Sequence, residues 1–213
     1  MKIRCISLAF ILAALLITVG CAYNKTIEGF DAIEWFEMGR QASIDNRLDN
    51  ALDAYNKAIE LDPKVAKTYI NRGRTYYYLG NYNQAIADYD KVIELDPKDS
   101  DAYVNRGNAY DRLGNYKQAI ADYDKAIELN PKNTHAHMNR GGAYVKLGNH
   151  NQAIVDYDKA IELNAEFALA YYNRGLAYSA FGNHNQAIAD WKIAARLGLK
   201  EAQDYLKQQG IVW

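Results

Sequence analysis

The chain has 213 residues, enough for one ordinary domain or a short array, with a globular composition of 49% hydrophobic and 24% charged residues and a net charge of -1. That balance excludes the basic stripe on which nucleic-acid binding rests, and it supplies no strong steering field. Its two cysteines, Cys5 and Cys21, both fall in the first 21 residues, so the rest of the chain can hold neither a disulfide framework nor a cysteine metal site.

Lys2 and Arg4 give the amino terminus a positive start, and Ile6 to Val19 follow without a charge. As a helix those residues would rise about 21 Å, short of the roughly 30 Å hydrocarbon core of a bilayer. The pattern predicts a secretory signal over residues 1–20 in place of a spanning helix or a soluble core helix. Thr18-Val19-Gly20-Cys21 resembles a bacterial lipobox, with Thr18 where Leu is usual, and the resemblance implies lipidation of Cys21. Cleavage after Ala22, yielding a soluble periplasmic or secreted protein, is the alternative. In an organism with two membranes, Ala22 after the cysteine would resemble the signal for the outer membrane, facing the periplasm. Residues 21–31 read as a short polar tether.

From Ala32 onward the sequence repeats every 34 residues. Units open at Ala32, Ala66, Ser100, Thr134 and Ala168, giving nominal spans 32–65, 66–99, 100–133, 134–167 and 168–201 within a repeat region of 32–199. The eighth place is Gly39, Gly73, Gly107, Gly141 and Gly175; the twentieth is Ala51, Ala85, Ala119, Ala153 and Ala187. Pro63, Pro97 and Pro131 share the thirty-second place. A fixed period of this length means one supersecondary unit stacked several times. Tyr69, Arg72, Gly73 and Tyr76 fall at helical spacing, as do Ala85, Ile86, Tyr89, Val92 and Ile93. Gly80-Asn81 ends the first run and Asp96-Pro97 the second. Each unit therefore reads as two antiparallel helices. The small Gly73 and Ala85 let the axes approach, and Tyr69, Tyr76, Tyr82 and Tyr89 are expected to fill the space between neighbouring pairs. Asn46 stands where later units have Gly, as the next best residue for a left-handed turn. Residues 200–213 predict a capping helix and tail: Ala202, Tyr205 and Leu206 face the array, and Gly210-Ile211 stops the helix.

In its second unit the chain resembles the tetratricopeptide repeat family at Tyr69, Gly73, Tyr76, Ala85, Tyr89 and Pro97. The third unit matches at Tyr103, Gly107, Tyr110, Ala119, Tyr123, Ala126 and Pro131. Departures gather at the ends: Ala42 for Tyr, Ala165 for Pro and Trp191 for Tyr. The resemblance implies an all-α, right-handed superhelical α-solenoid of five helix-turn-helix repeats plus a C-terminal capping helix. It also implies a concave groove lined by the first helix of each pair, where a protein or an extended peptide binds.

The groove candidates follow from the period. Asn71, Asn105, Asn139 and Asn173 form a row at the sixth place, and a side-chain amide both donates to and accepts from a peptide backbone. The row resembles the asparagine ladder of the O-GlcNAc transferase repeats; the alternative is that each Asn ties its helix to the next pair. Around it lie variable positions, among them Arg74, Tyr77, Asn108, Met138 and Tyr172, which could supply side-chain pockets. The family's carboxylate clamp is incomplete, since the fifth places are apolar, so chaperone tails are not expected. Arg72, Arg106, Arg140 and Arg174 are expected to pair with Asp88, Asp122, Asp156 and Asp190.

His135, His137, His150 and His184 occupy packing positions, and no phosphate loop, nucleophile elbow or zinc motif is present. The expectation is no catalytic residue, no metal, no cofactor, no small-molecule substrate and no nucleic acid. Two classes remain: a non-enzymatic adaptor tethered in the cell envelope through a lipid anchor, or a structural module that self-associates in an envelope assembly.

Overall fold

The computed structural model describes residues 29–213. The signal expected over 1–20, Cys21 and most of the tether lie outside these residues. The described part is an all-α solenoid with no strand. Its first pair is α1 (Ala32–Ile44) with α2 (Leu48–Leu61), followed by α3 (Ala66–Tyr78) with α4 (Tyr82–Leu95). Next come α5 (Ser100–Arg112) with α6 (Tyr116–Leu129), and α7 (Thr134–Lys146) with α8 (His150–Leu163). The last pair is α9 (Ala168–Ala180) with α10 (His184–Arg196), closed by the single helix α11 (Lys200–Gln208).

Local chemistry sets the boundaries. Asp31 caps α1 by accepting the N–H groups of Ile33 and Glu34, and Glu34 reaches back to the Asp31 N–H, a complete capping box. Asp99 and Asn133 cap α5 and α7 in the simpler way. Within each pair the turn needs a left-handed residue. Gly80, Gly114, Gly148 and Gly182 take φ of 79°, 77°, 76° and 75°, and Asn46 serves the first pair at 58°.

The turn between pairs has a different cause from the one the prolines suggest. Asp62, Asp96, Asn130 and Asn164 each accept, through the side chain, the N–H two residues on, at 3.0 to 3.2 Å. This Asx turn needs no proline. Ala165 therefore replaces Pro in the fourth unit without loss of the turn.

The core is a repeated contact between a glycine and an aromatic ring. Tyr55, Tyr89, Tyr123 and Tyr157 are buried, each lying over the eighth-place glycine of its own pair, and Trp191 does the same over Gly175. Tyr89, expected between pairs, lies over Gly73 of its own pair and also joins one cluster with Ala109 of the next. Tyr69 does pack between pairs, in one cluster with Val92 and Ala102, and its hydroxyl donates to Pro63 O at 3.1 Å. A Cβ on Gly107 would stand 2.7 Å from Tyr123 Cε1, so the buried ring would have to shift. Gly107→Ala is expected to destabilise the array by about 1–3 kcal/mol despite the better helix propensity of alanine. Urea unfolding followed by circular dichroism checks this; an unchanged midpoint would mean that the ring yields.

At the carboxyl end Ala202 and Leu206 are fully buried on the last pair, and Tyr205 meets the Trp191 ring edge-on at a centroid distance of 4.5 Å. Gly210 turns left-handed, and the Ile211 N–H donates to Leu206 O at 2.9 Å. Ile211 then packs on the terminal cluster, completing the helix stop.

Candidate peptide-binding groove

Successive first helices touch one another directly, α1 to α3, α3 to α5, α5 to α7 and α7 to α9, whereas the second helices are spread apart. The stack therefore bends with the first helices inside, and their exposed faces make the groove.

The arginine row is structural. Arg106 donates through Nε and Nη2 to both oxygens of Asp122, at 2.9 and 2.6 Å, and through Nη1 to Asp90 of the preceding pair at 2.6 Å. Arg140 repeats this with Asp156 and Asp124, and Arg174 with Asp190 and Asp158. Arg72 grips Asp88 and, in the preceding pair, Asn56. The expected pairs form, and the aspartates facing each fork are buried, so they differ from weak exposed pairs. Asp122 lifts Arg106 further above the ordinary arginine range. The second partner was missed, although the sequence carries its signal. The twenty-fifth place reads Asn56, Asp90, Asp124 and Asp158, then Lys192 in the last unit, which no arginine follows. The first unit has Met38 and Ala54 where the later units have Arg and Asp.

The asparagine row is not uniform. All four side chains are half-buried. Asn71 donates to Lys67 O in its own helix at 2.8 Å. Asn105 makes no side-chain hydrogen bond among the described residues and lines a pocket of about 120 Å³ with Arg74, Tyr77, Tyr78, Tyr89 and Asn108. Asn139 donates to Asn108 Oδ1 at 2.8 Å, an oxygen that also accepts from the Tyr123 hydroxyl at 2.8 Å. Asn173 turns its amide to the Met138 sulfur at 3.5 Å. The neighbour one pair back, at the fifth or ninth place, decides each outcome, and those places vary.

A larger pocket of about 330 Å³ adjoins the first, between α3, α5 and α7. Tyr77, Asn108, Met138 and Asn139 line it with Asp111, Arg112, Gly142 and Lys146. Of the predicted groove residues, Arg74, Tyr77, Asn105, Asn108, Met138 and Asn139 thus come together. Asn71 and Asn173 lie outside both pockets, and Tyr172 packs half-buried in the terminal cluster, its carbonyl accepting from Trp191 Nε1 at 3.2 Å. Burial raises the Tyr77 hydroxyl above its usual range, against the pull of Arg112. Arg112 lies 5.9 and 5.5 Å from the ring centroids of Tyr77 and Tyr82.

The histidines do packing work. His137 is buried between Pro131 O, 3.1 Å from Nε2, and Asp156, 3.4 Å from Nδ1. His135 stacks on Phe167, and His150 meets Phe181 edge-on. No group of His, Cys, Asp and Glu among the described residues could hold a metal ion. No described helix is long and apolar enough to cross a membrane.

Family models agree with this geometry. A tetratricopeptide repeat model matches residues 100–133 and another 122–155, and a TPR repeat model matches 44–80, 73–114 and 141–182. Among solved structures, MamA is 31% identical with a TM-score of 0.70, over 78% of this chain and 97% of that one. YrrB, described as a TPR protein with an unusual peptide-binding site, is 27% identical with a TM-score of 0.67, over 88% of this chain and 98% of that one. A lipoprotein NlpI homolog of Haemophilus influenzae is 40% identical over 48 residues, 22% of this chain and 15% of that protein. A peroxisomal targeting signal receptor of Candida albicans is 33% identical over 72 residues, 30% of this chain and 12% of that protein. The chain thus spans only a small part of either curated relative. The TPR repeat model alone matches more than half of the residues, on helices laid down in pairs at 34-residue intervals, and the chain belongs to the tetratricopeptide repeat family.

Proposed function

We propose that the chain is a non-enzymatic interaction scaffold that takes an extended peptide or protein segment in its groove, held in a bacterial cell envelope by a lipid on Cys21. Proteins of this family act as interaction scaffolds, and YrrB carries a peptide-binding site. The observation that carries the reading is the pair of adjoining pockets on the first helices. Among their polar groups, the Asn105 amide makes no hydrogen bond within the described residues, and Asn108 and Asn139 each keep one polar atom free. Capture from envelope extract tests it: the full chain retains a partner, and a variant with Ala at Asn71, Asn105, Asn139 and Asn173 loses it. Equal capture by both would sink the reading.

The envelope part of the proposal rests on the lipobox-like Thr18 to Cys21 and on the short likeness to an NlpI homolog. One acyl chain holds a protein only marginally, and several hold it durably. In cells fed labelled palmitate, the wild type is expected to take up label and Cys21→Ser to take up none. Absence of label in both would favour cleavage after Ala22.

One observation favours self-association as a second reading. The first helix leaves Ile33 72% and Ile44 64% exposed, whereas α11 turns Lys200, Glu201, Asp204 and Lys207 to water. That apolar face on the first helix would join two copies head to head. Sedimentation velocity at rising concentration would then show a dimer, dispersed by Ile33→Asp with Ile44→Asp. A monomer throughout removes this reading.

A further inference from the structure

Carboxylates that are withdrawn from water in this array have partners. Asp88, Asp122, Asp156 and Asp190 face arginines, Glu34 closes a capping box, Glu37 pairs with Arg40, and Asp99 accepts two backbone N–H groups. Asp111 is the exception among the described residues. It is half-buried on α5 and makes no hydrogen bond and no ion pair, and burial pushes its carboxyl above the ordinary range against the pull of Lys146 and Arg112. A carboxylate partly withdrawn from water and without a partner carries a cost that a donor in the pocket would relieve.

Asp111 lines the 330 Å³ pocket, and the pocket's other features say what fits. It has room because the ninth place of the fourth unit is Gly142, where an added Cβ would meet no atom within 4 Å. Asn108 Oδ1 is occupied by Tyr123 and Asn139, which leaves Asn108 Nδ2 and Asn139 Oδ1 as a free donor and a free acceptor. Two cations also stand at the rim. Arg112 is drawn onto the rings of Tyr77 and Tyr82, and Lys146 is exposed on a long flexible stem. Both are exposed, whereas the short Asp111 side chain is half-buried in the pocket wall, where an anionic guest would meet it.

We propose that this pocket receives a lysine or arginine side chain of an extended peptide, with Asp111 as its counter-ion and the Tyr77 ring beside its stem. The assignment rests on the groove reading above and adds the chemistry of the partner. The amides of Asn108 and Asn139 meet the guest's backbone on either side of the inserted residue.

The test uses the full chain and four pools of acetylated, amidated nonapeptides, randomised except for a central Lys, Arg, norleucine or Glu. Fluorescence polarisation is expected to show the Lys and Arg pools binding about tenfold tighter than the norleucine and Glu pools. In Asp111→Asn the ratio of Lys to norleucine affinity falls to about one. Gly142→Leu, which fills the pocket without touching a charge and has room to fold, lowers that ratio as well. Equal binding of the four pools, or tightest binding of the Glu pool, overturns the pocket assignment and leaves the groove reading standing. No binding of any pool removes the groove reading and this assignment with it.

Discussion

Arg106→Met is expected to cost the array about 3 kcal/mol at neutral pH, the low end of the range for breaking a buried ion pair from one side. The low end applies because the Arg106 side chain keeps 20% exposure. The cost arises on the other member. The Asp122 side chain is 8% exposed, and without the guanidinium it is left as a buried charge. Burial already raises the Asp122 carboxyl, with a contribution from the nearby Asp90, and only Arg106 opposes this. In the variant the folded-state pKa therefore rises further above the unfolded value. A carboxyl raised on folding binds its proton more tightly in the folded state, so it destabilises at high pH and ceases to do so once pH falls below the unfolded pKa. The gap between wild type and Arg106→Met should be widest near pH 7.5 and should narrow by pH 4.5, as read by urea midpoints. A gap that widens on acidification would contradict the assignment of the cost to Asp122. Replacing both members, Arg106→Met with Asp122→Leu, should recover most of the loss. Asp90→Ala should cost at most about 1 kcal/mol, since the Asp90 side chain is 52% exposed. Because each pair touches only its neighbours, the variant should also unfold over a broader range, the two halves of the array parting at the third pair.

The same ladder shows how much the sequence held. The period, the small residues at the eighth and twentieth places and the left-handed turn at Asn46 could be read because each is a local demand of one unit, repeated. The fork from Arg106 to Asp90 crosses between units, so no single unit displays it. It becomes legible only when the ends are compared, where Met38 with Ala54 and then Lys192 break the pattern. The second helix of a pair is expected to stop at Asp96-Pro97, and it ends at Leu95 with Asp96 as its cap. The residue before each proline, and Asn164 where there is no proline, makes the bond that shapes the turn. The groove was the hardest part to read. Asn71, Asn105, Asn139 and Asn173 look alike in sequence. The difference between Arg74, Asn108, Gly142 and Leu176 along one row sets which amide is held and where a pocket opens.

That difference sharpens the binding prediction. Asn105→Ala with Asn139→Ala is expected to weaken peptide binding by about 1–3 kcal/mol, or roughly 5- to 150-fold, at about 0.5–1.5 kcal/mol for each hydrogen bond lost. Asn105 contributes because its amide is free in the smaller pocket. Asn139 contributes twice, through its own free oxygen and by fixing the Asn108 amide at 2.8 Å. Alanine is the better helix former, so the double variant should keep its helicity, and a loss of binding cannot be laid to unfolding. Asn71→Ala is the internal control. Its amide serves Lys67 O in its own helix, outside both pockets, and its loss should change affinity by less than about twofold. Titration calorimetry with the tightest peptide pool distinguishes the cases. If all three substitutions weaken binding alike, the row acts as an even ladder, and the pockets do not set affinity. If the double variant binds as the wild type does, the asparagines serve the fold alone.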